Sequence, residues 1–338
     1  MKSISLKAPY LIFVGDEARK PYLKTGAGLV QWRPELCKGQ FRLSSDAVDL
    51  GIPDLTVEEA AVAGVGSLLI GTAVVGGELP LSWLAPLKEA LEAGLDIVAG
   101  THTPLSDIPI LQKAAEKSGS RIIDVRRPPE NIPVGTGKKR SGLRLLTVGD
   151  DCAVGKKYTA LALEAALNAE GVSCDFRASG QTGIMIAGQG IPIDAVVCDF
   201  LVGAAELLSP DAPIDHWDII EGQGGIFHPA YAPVSIGLLQ GSQADAFVLC
   251  GEAGRTHFEG WPSVRLPAFQ QVIDRTVALG QQTNPRIRCV GFSINTSRLN
   301  DRQRIDYLRH VEDTYALPAV DPLKTGVDAI VEKIRHDF

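Results

Sequence analysis

The chain lacks the features that would tie it to a membrane or to nucleic acid. Across its 338 residues no apolar run reaches bilayer-spanning length. In the opening segment MKSISLKAPYLIFVGDEARK, the one short apolar stretch meets charge at Asp16, too early for the apolar region of a secretory signal. Positive charge is in deficit: 33 Lys and Arg face 40 Asp and Glu, for a formal net charge of -7. A nucleic-acid binder carries the opposite excess. Cysteine is scarce and scattered, with six positions (Cys37, Cys152, Cys174, Cys198, Cys250, Cys289) and no CxxC pair. Free thiols, mostly buried, in a reducing compartment are therefore expected, and a metal site is not. No G-x-G-x-x-G follows the first strand-like run. KTGAGLVQW offers Lys24, Thr25 and Gly28, and GTHTPLSD offers His102 and Asp107, but neither makes a dinucleotide fingerprint. These absences predict a cytoplasmic protein with no membrane partner, no nucleic-acid partner and no nicotinamide cofactor.

What is present is alternation of short β-rich runs with helical patterns, the signature of parallel sheets covered by helices. In the first part YLIFV, SLLIGT, LDIVAG and RIIDV read as strands, and 57–63, 81–93 and 108–117 as helices, the last capped by Asp107. The segment RRPPENIPVGTGKKRSG, 126–142, reads as an interdomain linker whose KKR run is solvated. The alternation then resumes with LRLLTVG, VSCDFRA, AVVCDF, WDIIEG, DAFVLCG and IRCVGFSIN as strands. Helices are expected at 155–169, near 233–240, and around 302–314 and 325–335. Two α/β domains follow, 1–130 and 131–338.

The first strand-to-helix turn of the second domain is GDDCAVGKK. Such a turn aims successive backbone N–H groups into one concavity at a helix N-terminus, where phosphates bind. The expected contacts are Gly149, Asp150, Asp151, Cys152, Ala153, Val154, Gly155, Lys156, Lys157 and Tyr158. The turn departs from the common P-loop in two ways. Five residues separate Gly149 from Gly155 where four are usual, a spacing that resembles dethiobiotin synthetase. Lys157 stands where a Ser or Thr normally binds Mg²⁺, and Thr159 as a substitute ligand lies two residues late. Two lysines and no magnesium hydroxyl suit holding a pyrophosphate better than splitting one.

Loops leaving the other strands line the same crevice of an open α/β sheet. RASGQTGIMIAGQG brings Arg177, Gln181, Thr182 and Gly183 as substrate contacts, equally readable as turn formers. WDIIEG delivers Glu221 at its end and GQGGIFHPAY adds His228, the best acid/base pair in the chain. CGEAGRTHFEG offers Glu252, His257 and Arg255, whose planar fork suits a substrate carboxylate or a structural ion pair.

Taken together, GDDCAVGKK, SGQTGIMI with DAVVCDFLVGAAE, EGQGGIFHPAY, GFSINTS and LPAVDPLKTG resemble the D-glutamate N-acetyltransferase family, long described only as a domain of unknown function. KTGAGLVQW and GGELPLSWLAPLKEALEAGLDIVAGTHTPLSD extend the resemblance over nearly the whole chain. It implies a Rossmann-like N-terminal domain, a P-loop NTPase-like C-terminal domain, and acetyl transfer from acetyl-CoA to the amine of D-glutamate or a similar small amino acid. Coenzyme A carries phosphates but asks for no nucleotide hydrolysis, in keeping with the missing magnesium ligand. On that reading Glu221 is the base, His228 the second candidate, and Arg177 or Arg255 pairs with acceptor carboxylates. A Mg/ATP-dependent ligase of the dethiobiotin synthetase type and a non-catalytic binding protein are the alternatives. A homo-oligomer is the expectation for such an enzyme.

Overall fold

In the computed structural model, which describes residues 4–72, 79–101 and 103–338, the run YLIFVG forms β1 (Tyr10–Gly15) with every residue buried. There follow α1 (Lys24–Trp32), β2 (Cys37–Arg42), α2 (Val57–Val62), β3 (Ser67–Ile70), α3 (Leu84–Glu92), β4 (Asp96–Ala99), α4 (Pro109–Ser118) and β5 (Ile122–Asp124). The five strands pair in parallel in the order β2-β1-β3-β4-β5. Strands this apolar need cover on both faces; on one face Leu11, Phe13, Leu68 and Ile97 pack with Leu87, Leu91 and Leu111 of α3 and α4. The four strands expected here are all present. The edge strand β2 escaped the pattern because CKGQFR buries only Gly39 and Gln40. Asp107 does not cap α4: Ile108 is the N-cap, Pro109 opens the helix, and Asp107 pairs with Arg127. His102 lies outside the described residues.

The second sheet begins with β6 (Leu143–Gly149), followed by α5 (Lys156–Ala169), β7 (Cys174–Arg177), α6 (Gln181–Ala187), α7 (Leu201–Leu208), β8 (Trp217–Ile220), α8 (Ala232–Ser242) and β9 (Ala246–Glu252). A short antiparallel ribbon, β10 (His257–Phe258) and β11 (Trp261–Arg265), precedes α9 (Phe269–Gly280), β12 (Arg288–Asn295), α10 (Asp301–Tyr315), β13 (Ala319–Val320) and α11 (Asp328–Asp337). Six strands run parallel in the order β13-β12-β9-β6-β8-β7. The P-loop strand β6 thus lies between β8 and β9, where the chain switches from one side of the sheet to the other. The loops after these strands face a common crevice.

Two expectations fail here. AVVCDF is not a strand: it forms turns and a 3-10 turn over Cys198–Phe200, and Val197 is 66% exposed, so its apolar character is not spent in the core. The KKR run is not all solvated either. Arg140 is buried and donates to the carbonyls of Gly241 (2.7 Å) and Ser242 (3.2 Å), while Thr136 and Gly137 N–H groups bind the Glu206 carboxylate at 2.9 Å. A composition of Pro, Gly and basic residues is here pinned by side-chain hydrogen bonds rather than by apolar burial.

The chain divides into two compact units, Met1–Pro129 with Gly180–Pro192, and Glu130–Ser179 with Ile193–Phe338. Helix α6 therefore belongs to the first unit, although its sequence lies within the second. There Thr182 shares a hydrogen bond with Thr25 (2.9 Å) and Gln181 accepts one from Arg126 (3.2 Å).

Candidate active site around the P-loop

Between β6 and α5 the backbone takes left-handed values at Ala153 (φ 57) and Gly155 (φ 103), bringing the loop round onto the start of α5. Gly155 is the N-cap and has no side chain to satisfy the first-turn N–H groups, which is the condition for binding an anion there. Lys156 is buried and donates through Nζ to the carbonyl of Asp151 at 2.7 Å; burial lowers its pKa. Lys157 lies over the Tyr158 ring, 4.8 Å from its centroid. Thr159 is fully buried, its hydroxyl sharing hydrogen bonds with Ser293 Oγ (2.7 Å) and Gly155 O (3.1 Å). It belongs to the core rather than to the place of a magnesium ligand.

The two carboxylates of the loop differ in their surroundings. Asp150 is buried, its Oδ1 has no hydrogen-bond partner, and burial pushes its pKa up to about 7. Asp151 is the hub of the site: Oδ2 accepts from Arg255 Nη1 (2.7 Å) and from the N–H of Glu259 (2.8 Å), and Oδ1 from the N–H of Cys152 (2.6 Å). Arg255 also donates to the carbonyl of Cys152 (3.0 Å) and pairs with Glu252 at the end of β9, whose other oxygen meets Arg298 (2.7 Å). The guanidinium of Arg255 is thus committed to holding the loop rather than open to a substrate carboxylate.

His228 lies on the other side of Asp151, with Nε2 3.6 Å from Oδ1. Its Nδ1 accepts from the N–H groups of Ala230 (3.1 Å) and Tyr231 (3.2 Å), so the neutral ring carries its proton on Nε2. Tyr231, Phe258 and Trp261 enclose the ring at 4.6, 5.1 and 4.7 Å between centroids, and burial lowers its pKa. Such a ring has no free lone pair with which to take a proton from a substrate, so the role of second base does not fit it as placed. The same proton argues against a cation among Asp151, Cys152 and His228, which stand at ligand spacing. In a second such group, Asp175, His216 and Asp218, the carboxylates already hold Arg177, at 3.2 Å from Asp175 Oδ2 and 2.6 Å from Asp218 Oδ1. Arg177 therefore turns back along the sheet.

Glu221 follows β8 directly and is 5% exposed. Its loop can pass close to β6 only because residue 222 is glycine: a Cβ there would lie 1.6 Å from the carbonyl oxygen of Thr147 and 3.2 Å from Lys156 Cδ. Gly222 N–H donates to Thr147 Oγ1 at 2.9 Å. Glu221 Oε2 accepts from the N–H of Ser179 (3.1 Å). The structure so gathers the P-loop, Glu221, His228 and Arg255 in one unit. Gln181, Thr182 and the buried Gly183 fall in the other, on α6. Sequence reading missed Ser179, the aromatic enclosure of His228 and the part of Glu259. Only Ser179, just beyond the end of β7, carried a positional signal.

Residues 133–331 match a domain of unknown function, DUF1611_C, described as a P-loop domain, and residues 39–128 match DUF1611_N, described as a Rossmann-like domain. The chain belongs to the DUF1611 family. It is 43% identical over 331 residues to a protein from Pseudoalteromonas sp named D-glutamate N-acetyltransferase, covering 98% of this chain and all of that protein. A protein of the same name from Tritonibacter scottomollicae is 43% identical over 329 residues, 97% of this chain and 99% of the relative. The crystal structure of a DUF1611 protein from Anabaena variabilis superposes with a TM-score of 0.86 at 30% identity, over 98% of this chain and 100% of the other. The family read from the motifs is thus the family found, and the architecture is the expected one, a Rossmann-like domain followed by a P-loop domain.

Proposed function

We propose that this DUF1611 protein is an N-acetyltransferase that moves an acetyl group from acetyl-CoA to the amine of D-glutamate. One observation carries the proposal: 43% identity, over 98% and 97% of the chain, to two proteins named for that reaction. The site agrees with it. A P-loop with an uncapped helix start and no magnesium hydroxyl suits the phosphates of coenzyme A, with Lys156 released from its bond to Asp151 O to meet them. Lys157 supplies a second positive charge at the same end of α5.

The acceptor amine must lose a proton as it attacks the thioester carbonyl; the tetrahedral oxyanion then collapses and expels the thiolate of coenzyme A. Glu221 is assigned as the base, because it directly follows β8 at its C-terminal end and the next residue, Gly222, packs against Thr147 and the P-loop lysine. His228 and Arg255 are assigned to hold Asp151, and through it the loop. Thr159, whose hydroxyl is spent in the core, does not supply the magnesium ligand that the Mg/ATP ligase alternative needs.

Among the described residues no helix is long and apolar enough to cross a membrane. The proposal includes a cytoplasmic enzyme acting as a closed homo-oligomer on a small-molecule substrate. The test is incubation of the purified protein with acetyl-CoA and a panel of D- and L-amino acids, following free thiol and acylated product. D-Glutamate is expected to release thiol and yield its N-acetyl derivative. No thiol release with any amine would overturn the reading, and ADP release from ATP would replace it with a ligase.

A further inference from the structure

We propose that Ser179 is a positioning residue for Glu221, fixing the carboxylate in the orientation that proton removal requires. The inference rests on Glu221 being the base. Ser179 is fully buried and meets the Glu221 loop at three points. Its N–H donates to Glu221 Oε2 at 3.1 Å, its hydroxyl donates to the Glu221 carbonyl at 2.5 Å, and the same hydroxyl oxygen accepts from Gln223 Nε2 at 2.8 Å. One side chain therefore holds both the backbone of the base and the residue two positions beyond it.

The backbone of Ser179 is itself held. Its carbonyl accepts from Ile193 N–H at 2.9 Å, closing the neck of the Gly180–Pro192 excursion, and the next carbonyl, that of Gly180, accepts from Ile184 N–H at 2.9 Å as α6 begins. Beyond that neck α6 is committed to the first unit through Thr182 and Gln181. A donor whose own carbonyl and hydroxyl are both hydrogen-bonded cannot follow a wandering carboxylate; it selects one rotamer of it. Buried hydrogen bonds to a charged group are among the stronger ones, so losing this hold affects the ionised base most.

The experiment compares Ser179→Ala and Gln223→Leu with the wild type in the acetyl-transfer assay. It reads kcat, both KM values, the pH dependence of kcat and the melting temperature. Ser179→Ala keeps the N–H but frees the Glu221 carbonyl and Gln223 from the hydroxyl, so the carboxylate is no longer held in register with that N–H; kcat is expected to fall roughly tenfold with both KM values within about threefold. The acid limb of the profile is expected to move to higher pH, since a carboxylate held less firmly by the Ser179 N–H is easier to protonate. Gln223→Leu, which removes one bond to the same hydroxyl, is expected to move both quantities in the same direction by less, and it carries the test if Ser179→Ala does not fold. A folded Ser179→Ala protein with kcat within twofold of wild type, or an unmoved acid limb, would overturn the proposal. Glu221→Gln separates the two claims: if it too keeps wild-type kcat, the base assignment itself fails, whereas loss of activity there with normal Ser179→Ala sinks only the positioning role.

Discussion

His228 Nε2 faces Asp151 Oδ1 at 3.6 Å while its Nδ1 is held by two backbone N–H groups, so this ring links the loop after β8 to the P-loop. His228→Ala is therefore expected to act on the loop and not on the proton inventory. Stability should fall by about 2–4 kcal/mol from the lost packing. The KM for acetyl-CoA should rise while the pH limbs of kcat stay in place. A limb that disappears in this variant would restore His228 as a titrating catalyst.

Asp150 gives a pH signature of its own. Its folded pKa, about 7, lies above the ordinary aspartate value of 3.8, so between these limits the folded protein keeps a proton that the unfolded chain has lost. Stability therefore declines as pH rises through that window, by on the order of 1 kcal/mol per pH unit. Asp150→Asn removes the titration. Urea unfolding should find it close to wild type near pH 4 and more stable than wild type at pH 8. Equal differences at the two pH values would mean that Asp150 ionises freely in the folded state.

Thr159→Val tests whether any magnesium role resides on α5. The core hydrogen bonds to Gly155 O and Ser293 Oγ and the weaker one from the Cys250 thiol are lost, at a cost of about 1–2 kcal/mol in unfolding free energy. kcat/KM should remain within about threefold of wild type, since the hydroxyl touches Gly155 O and Ser293 Oγ and not a ligand. Loss of turnover together with loss of a Mg²⁺ response would point back to a nucleotide-cleaving enzyme.

Much of this site was legible because its signals are local. Gly149, Gly155 and Lys156 announce a strand, turn and helix within a dozen residues, and Glu221 is directed by its place just after β8. What escaped depends on partners remote in sequence. Arg255 looks like an open clamp until Asp151 and Glu252 are seen to occupy it. His228 looks like a base until the neighbouring N–H groups fix its tautomer. AVVCDF has strand composition but forms turns with Val197 exposed, and Gln181 and Thr182 follow a strand of one unit yet pack in the other. The spacing of residues along a chain does not report such long-range choices.

On the proposed function, the P-loop anchors the acetyl donor by its phosphates. The most direct measurement compares acetyl-CoA with acetylpantetheine, which presents the same thioester without phosphates, as donors for the wild type and for Lys156→Met. The wild type is expected to have a KM for acetylpantetheine at least ~100-fold above that for acetyl-CoA. Lys156→Met is expected to raise the KM for acetyl-CoA by roughly tenfold or more and to leave that for acetylpantetheine nearly unchanged. An equal effect of the substitution on both donors, or none on acetyl-CoA, would contradict it.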